Sequence, residues 1–246
     1  MQAVKSVLVI GATSGIGEAL VYEYARKGFS ILLAGRNVDL LQNLKSDLEI
    51  RNGVSASVHS FNAHDCENHG SFYASLPVKP DIVVYTIGYL GEQDEGQNNF
   101  GEAATIINVN FTYAVSILNI IANDFQKRKH GTIIGVSSVA GERGRQSNYL
   151  YGASKAAFSV YLDGLRNRLH PYGVHVMTVK PGFVATKMVE HLKLPTVLTA
   201  DPKKLAIEVA KAASKRRNTI YVLWFWRYIM FVIKSVPEYI FKRMKL

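Results

Sequence analysis

The apolar residues of this chain fall in two alternating kinds of stretch. The first kind is a short run rich in β-branched residues with little polar alternation: Val4 to Ile10, Ser30 to Ala34, Val54 to Val58, Asp81 to Tyr85, Thr132 to Val136, Gly173 to Val179 and Asn218 to Val222. Such runs predict strands covered on both faces, as in a parallel sheet. The second kind repeats at helical spacing: Leu20, Tyr24 and Ala25 on to Gly28, then Leu40, Leu41, Leu44 and Leu48 within Asp39 to Ile50. A weaker helical pattern reaches about Leu76, and stronger ones cover Glu102 to Lys129, Tyr149 to Leu169 and Asp201 to Ser214. Strands and helices in alternation predict an α/β fold. The long helix from Glu102 carries more apolar positions than one side needs, which predicts a second covered side in a homodimer or homotetramer.

Composition leaves this reading in place and narrows it. With 246 residues, 48% hydrophobic and 20% charged, the chain suits one large domain with an ample core rather than a disordered protein. A single cysteine, Cys66, excludes internal disulfides and fits a reducing compartment. The apolar start is too short for a signal-peptide core, so a cytoplasmic location is expected. His59, His64 and His69 recur every five residues, which matches no zinc motif, and no metal site is expected.

Charge changes the picture at one end. The formal net charge is +10, but residues 211 to 246 hold nine Lys or Arg against Glu238 alone, leaving +2 for the rest. The same stretch holds Trp224, Phe225, Trp226, Tyr228, Phe231, Tyr239 and Phe241, with aliphatic residues between them. Basic and aromatic residues together can bind single-stranded nucleic acid, yet the aliphatic content suits lipid better. Residues 223 to 246 therefore read as an amphipathic tail, distinct from a domain of residues 1 to 222, that lies on an anionic membrane surface without crossing it. Arg227, Lys234 and Pro237 interrupt the run that a span would need. The competing reading is a segment buried against the domain or a partner subunit.

Candidate chemistry sits at the ends of the predicted strands. Gly11, Thr13, Ser14, Gly15, Ile16 and Gly17 form a glycine-rich turn between the first strand and first helix, where backbone N–H groups and the helix dipole receive a pyrophosphate. Arg36, in place of an acid at the end of the second strand, favours a 2′-phosphate and hence NADP(H), with NAD(H) as the weaker alternative. Tyr151 and Lys155 are four residues apart and share a helix face, so an ammonium can lie beside a phenol and lower its pKa. Ser138 is delivered by the fifth strand, and Asn110 is a polar residue in mid-helix. Arg143, Arg145 and Lys187, with His191 and Lys193, gather cations where a substrate phosphate could be received.

Gly11-x3-Gly15-x-Gly17, Asn110, Ser138, Tyr151-x3-Lys155 and Pro181-Gly182 with Thr186, in this order, resemble the short-chain dehydrogenase/reductase family over residues 1 to 222. The resemblance implies a doubly wound Rossmann fold of seven parallel strands with helices on both faces. It also implies Tyr151 as acid/base, Ser138 as the polariser of a carbonyl, Lys155 on the nicotinamide ribose, Asn110 holding a relay water and Thr186 on the carboxamide. Asn62, Ala63, Gly88 and Val184 would complete the cofactor contacts with Pro181 and Gly182. Two departures stand out: Tyr85-Thr86-Ile87-Gly88 replaces the usual Asn-Asn-Ala-Gly, and Asn62 stands where the family has Asp.

A closer similarity extends into the tail. Ser137-Ser138-Val139-Ala140-Gly141-Glu142-Arg143, Gly88 to Gly91 and Phe225 to Arg243 are similar to the decaprenylphosphoryl 2-keto-pentose reductases. That similarity implies reduction of a lipid-linked keto-sugar in cell-envelope arabinose formation, at the inner face of the membrane. Two other functions stay open: a reductase of a soluble or steroid/lipid ketone, and a catalytically silent NADP-binding module.

Overall fold

The computed structural model describes residues 4 to 190 and 195 to 244. Seven strands form one parallel sheet: β1 (Ser6–Ile10), β2 (Ser30–Gly35), β3 (Ala56–Ser60), β4 (Ile82–Tyr85), β5 (Thr132–Val136), β6 (His175–Pro181) and β7 (Thr219–Val222). Their order across the sheet is β3-β2-β1-β4-β5-β6-β7. The order reverses between β1 and β4, the place where an open parallel sheet leaves a crevice at its strand ends.

The apolar runs are two-sided for a physical reason visible in β1. Val7 and Val9 point into one core, Leu8 and Ile10 into the other, and all four are fully buried. Helices α1 (Gly15–Arg26), α2 (Val38–Asn52) and α6 (Pro202–Ser214) cover the first face; α3 (His69–Ser75), α4 (Phe100–Arg128) and α5 (Tyr149–Leu169) cover the second. The Rossmann expectation of seven parallel strands with helices on both faces is met.

Boundaries shift where the sheet has an edge. The third strand runs two residues later than its apolar run, because edge strand β3 tolerates Ser57 and His59, whose side chains bond to each other at 2.8 Å. β6 starts only after Gly173, which has φ of 74°, and runs on to Pro181 because β7 pairs with Lys180 and Pro181. α4 is interrupted by a π-helical turn at Asn108–Thr112, which the helical period does not reveal. Among the described residues α4 is the one helix long and apolar enough to cross a membrane, but Ala114, Ile117, Leu118, Ile121, Ala122 and Phe125 are buried in the core instead.

The tail is docked on the domain. Helix α7 (Trp226–Ser235) turns Trp226 and Met230 into a third, small core with Val139, and Phe225, Ile229 and Ile233 pack around them. Its other side leaves Trp224, Tyr228, Phe231 and Val232 between 62% and 72% exposed. Of the aromatic residues at the start of the tail, Phe225 and Trp226 thus belong to the covered side.

Candidate active site

The sequence builds the cofactor side of the crevice from backbone. Gly11 takes φ of 91°, and a Cβ on Gly17 would collide with the Gly11 carbonyl, so the turn after β1 closes only with glycine at both places. Ser14 caps α1, its Oγ accepting from Gly17 N at 3.0 Å. Thr86, the departure at the end of β4, ties the turn down: its Oγ1 donates within 3.0 Å of the carbonyls of Ile10 and Gly11 and lies 3.1 Å from Ser14 Oγ. Its hydroxyl thus joins the two central strand ends.

Arg36 follows β2, is exposed and makes no ion pair among the described residues, so its guanidinium is available to an anion. Exposed Asn62 and buried Ala63 follow β3 on the same edge of the sheet. Thr186 closes the other side of the turn; a Cβ on Gly15 would sit 2.8 Å from its Cγ2. Glycines that admit a ligand, a capped helix N-terminus and an unpaired arginine at the β2 end fit an adenine dinucleotide with a 2′-phosphate.

Beside this lies a cavity of about 740 Å³ lined by Ile16, Gly88, Ser138, Tyr151, Lys155 and Trp226, among others. The two serines at the end of β5 are used differently. Ser137 Oγ donates to Lys155 O at 3.0 Å and lies 2.7 Å from Ser159 Oγ, fastening α5 to β5, while Ser138 faces the cavity. Gly141 lets the turn Val139–Glu142 lean on the same helix, since a Cβ there would meet Ala156 N at 2.6 Å. Lys155, 3% exposed, donates from Nζ to Val136 O at 3.2 Å and lies 5.8 Å from the centre of the Tyr151 ring.

Electrostatics here differ from the expectation of a lowered phenol. Burial pushes the Tyr151 phenol up to about 12, with the Ser138 hydroxyl pulling weakly the other way. Burial also pulls the Lys155 ammonium down to about 8. Desolvation is the leading cause for both groups, so at neutral pH the phenol keeps its proton.

Asn110, fully buried, sits in the π turn and clamps the loop after β4. Its Oδ1 accepts from Tyr89 N at 3.0 Å, and Nδ2 donates to Tyr89 O at 2.6 Å and Ile106 O at 2.8 Å. Both amide protons are taken, so a relay water would have to find a free lone pair of Oδ1 or the main chain. A Cβ on Gly88 would lie 3.2 Å from Asn110 Oδ1 and 3.3 Å from Lys155 Nζ, which places the three together.

The cationic mouth is corrected in part. Arg143 turns away from the cavity: it donates to the carbonyls of Ile233, Lys234 and Val236 at 2.5 to 3.2 Å, pairs with Glu238 at 3.1 Å and stacks on Phe241. A guanidinium whose two terminal nitrogens are engaged by the last carbonyls of α7 and by Glu238 caps a helix and is held away from the cavity. Lys187 is exposed and lies off the cavity wall. Arg145 does line the cavity. His191 and Lys193 fall outside the described residues.

Two residues gain a place that local pattern does not give them. Trp226 stands over Gly182, where any Cβ would strike its indole, and walls the cavity. Glu142, 4% exposed at its side chain, accepts from Lys180 at 2.7 Å, Tyr221 at 2.6 Å and Lys234 at 3.1 Å, tying the segment after Ser138 to β6, β7 and α7.

The family model for short chain dehydrogenase matches residues 5–195. An uncharacterised oxidoreductase of Mycobacterium tuberculosis is 30% identical over 241 residues, covering 97% of this chain and 96% of its own. An NADP-dependent 3-hydroxy acid dehydrogenase of Escherichia coli is 30% identical over 182 residues, 72% of each chain. In fold, the chain is similar to a short-chain dehydrogenase from Sphingobium yanoikuyae in complex with NADPH, with a TM-score of 0.81 at 20% identity over 96% and 97% of the two chains.

Proposed function

The chain belongs to the short chain dehydrogenase family of nicotinamide-dependent oxidoreductases, and from that premise we propose that it is an NADP(H)-dependent ketone reductase working on a lipid-linked substrate. NADPH, when bound, supplies the hydride. Gly11 to Gly17 would hold its pyrophosphate, Arg36 its 2′-phosphate, and Gly88, Pro181, Gly182, Val184 and Thr186 its nicotinamide end. The protein's own groups then handle the oxygen. Ser138 and Tyr151 hydroxyls converge in the cavity, so both can hydrogen-bond one carbonyl oxygen, and negative charge developing there is met by preorganised donors. Tyr151, protonated at neutral pH because it is buried, is set to donate as the alkoxide forms. Lys155, held near the ordinary pH range, restores the proton.

The observation that carries the lipid reading is α7. One side of it walls the catalytic cavity with Trp226, while Trp224, Tyr228, Phe231 and Val232 stand exposed on the other. Residues 211 to 246 supply +8 of the +10 net charge. Aromatic side chains edged by cations suit an anionic bilayer surface, and such a surface would bring the cavity to a substrate that cannot leave the membrane. A polyprenyl-phosphoryl 2-keto-pentose has that chemistry, and the similarity in Ser137 to Arg143 and in the tail supports it. Large apolar side chains also remain exposed on α4 and α5, at Phe100, Ile107 and Val160, which supports a homodimer through those helices.

The reductase reading is tested by loss of NADPH absorbance with a simple ketone; no turnover by wild type with any ketone would refute it. The surface reading is tested by co-sedimentation with phosphatidylglycerol vesicles. The double variant Trp224→Ser, Phe231→Ser should stay folded and lose binding, and equal binding by both proteins would sink it. Deleting the tail would be the wrong test, because the deletion also removes the cavity wall.

A further inference from the structure

We infer that Arg145 is the counter-ion for an oxyanion on the substrate, and that Gln93 and Asn148 read a polar group beside it; the inference rests on the reductase reading and names the substrate class. Three buried polar atoms along the cavity find no partner among the described residues: Arg145 Nε, Gln93 Nε2 and Asn148 Oδ1. Two are donors and one an acceptor. The Gln93 amide is oriented by its own bond, Oε1 accepting from Leu150 N at 3.0 Å, so the free atom is the N–H2 group. Asn148 lies at the start of α5, two residues before that same Leu150.

The contrast with Arg143, on the same loop, is what gives the unpaired guanidinium its meaning. Arg143 engages both terminal nitrogens with carbonyls and a carboxylate, whereas Arg145 makes no hydrogen bond or ion pair with its side chain among the described residues. Glu92 and Asp94 line the same cavity and neither pairs with it. Burial alone acts on its pKa, downward, as expected for a cation with no anion beside it. A partly desolvated charge without a partner, here with its Nε buried, is unfavourable, and it persists at a ligand site because the ligand supplies the partner. A guanidinium offers paired donors suited to phosphate or carboxylate. With an amide donor and an amide acceptor close by in the same cavity wall, the set fits an anionic substrate that also bears hydroxyls, as a keto-sugar phosphate does. Phosphate and carboxylate share this chemistry, and the experiment separates them.

Wild type and Arg145→Met are compared with dihydroxyacetone phosphate against dihydroxyacetone, and with 3-oxobutanoate against butanone. The variant should raise KM for the anionic member about tenfold or more and leave the neutral member within about twofold. Which pair responds identifies the anion. Its melting temperature should hold or rise, since an unpaired, half-buried charge is removed. Equal effects on charged and neutral ketones, or a fall in melting temperature, would overturn the inference while leaving the reductase reading intact. Should wild type reduce no ketone at all, the reductase reading fails by itself. The counter-ion is then judged by calorimetric titration of geranyl phosphate and geraniol into the NADP-loaded protein: selective loss of the phosphate in Arg145→Met supports it, and equal binding refutes it.

Discussion

The two ends of the crevice are built by different means. At the cofactor end, Gly11, Gly17, Ser14 and Thr86 shape a backbone surface whose parts lie within one turn or on adjacent strands. At the proposed substrate end, the side chains of Ser138, Arg145, Tyr151 and Trp226 come from four separate places in the chain and line one cavity, with Trp226 seated on the bare backbone of Gly182. A backbone site is specified by residues that are absent, namely side chains the turn cannot admit. A side-chain site is specified by long-range ties, here Glu142 to Lys180, Tyr221 and Lys234, and Arg143 to the end of α7. The first kind suits a ligand common to many enzymes, and the second can change with the substrate.

The strongest test of this contrast is Tyr151→Phe. It should lower kcat by about 10²- to 10⁴-fold, because only the proton donor is lost, and leave NADPH affinity within about twofold, because the cofactor end is independent. A matching loss of NADPH binding, seen by fluorescence titration, would join the two ends into one.

Next comes Trp226→Ala, which should cost about 3–5 kcal/mol in urea denaturation through the cavity left against Gly182 and Val139. Trp224→Ala, with its side chain 72% exposed, should stay within about 0.5 kcal/mol. Equal costs would mean that α7 is not docked as described.

Arg36→Ala should weaken NADPH by about 10- to 100-fold and NADH far less, since one charge-assisted contact to a phosphate is removed. If both cofactors weaken alike in equilibrium titration, Arg36 does not read the phosphate.

The smallest effect concerns pH. Lys155 loses its proton near pH 8 in the folded chain and near 10.5 unfolded. kcat/KM for ketone reduction should therefore fall as pH rises through about 8. Between there and about pH 10 the unfolded chain binds more protons at this group, so Lys155 contributes a stability that increases with pH. Above about 10 the raised Tyr151 pKa opposes it, because the folded state then holds the extra proton. Lys155→Met should flatten the rise in stability; an unchanged slope would place the ionisation elsewhere.

Most of the sheet and the cofactor turn was legible because parallel strands and tight turns leave local marks. Val7 to Ile10 must be apolar on both faces, and Gly11 and Gly17 admit no Cβ. Tyr151, Lys155 and Ser138 were legible as a pattern, but the sign of the phenol shift was not, since spacing conveys charge and says nothing of desolvation. Arg143 was misread for a related reason. Two arginines two residues apart look alike in sequence, and only the packing of α7, about ninety residues downstream, sends one to carbonyls and leaves the other facing the cavity. The mid-helix Asn110 signalled a special place, yet neither the π turn it sits in nor its partner Tyr89, twenty-one residues earlier in the loop after β4, is marked by the helical period.

The contact of Trp226 with Gly182 has a consequence for proteolysis. The residue lies outside the sheet, in the helix that follows β7, so a cut between the two would spare the strands and the dinucleotide cradle and open the substrate chamber. Competence to hold a cofactor and competence to select a substrate would then part company within the same molecule.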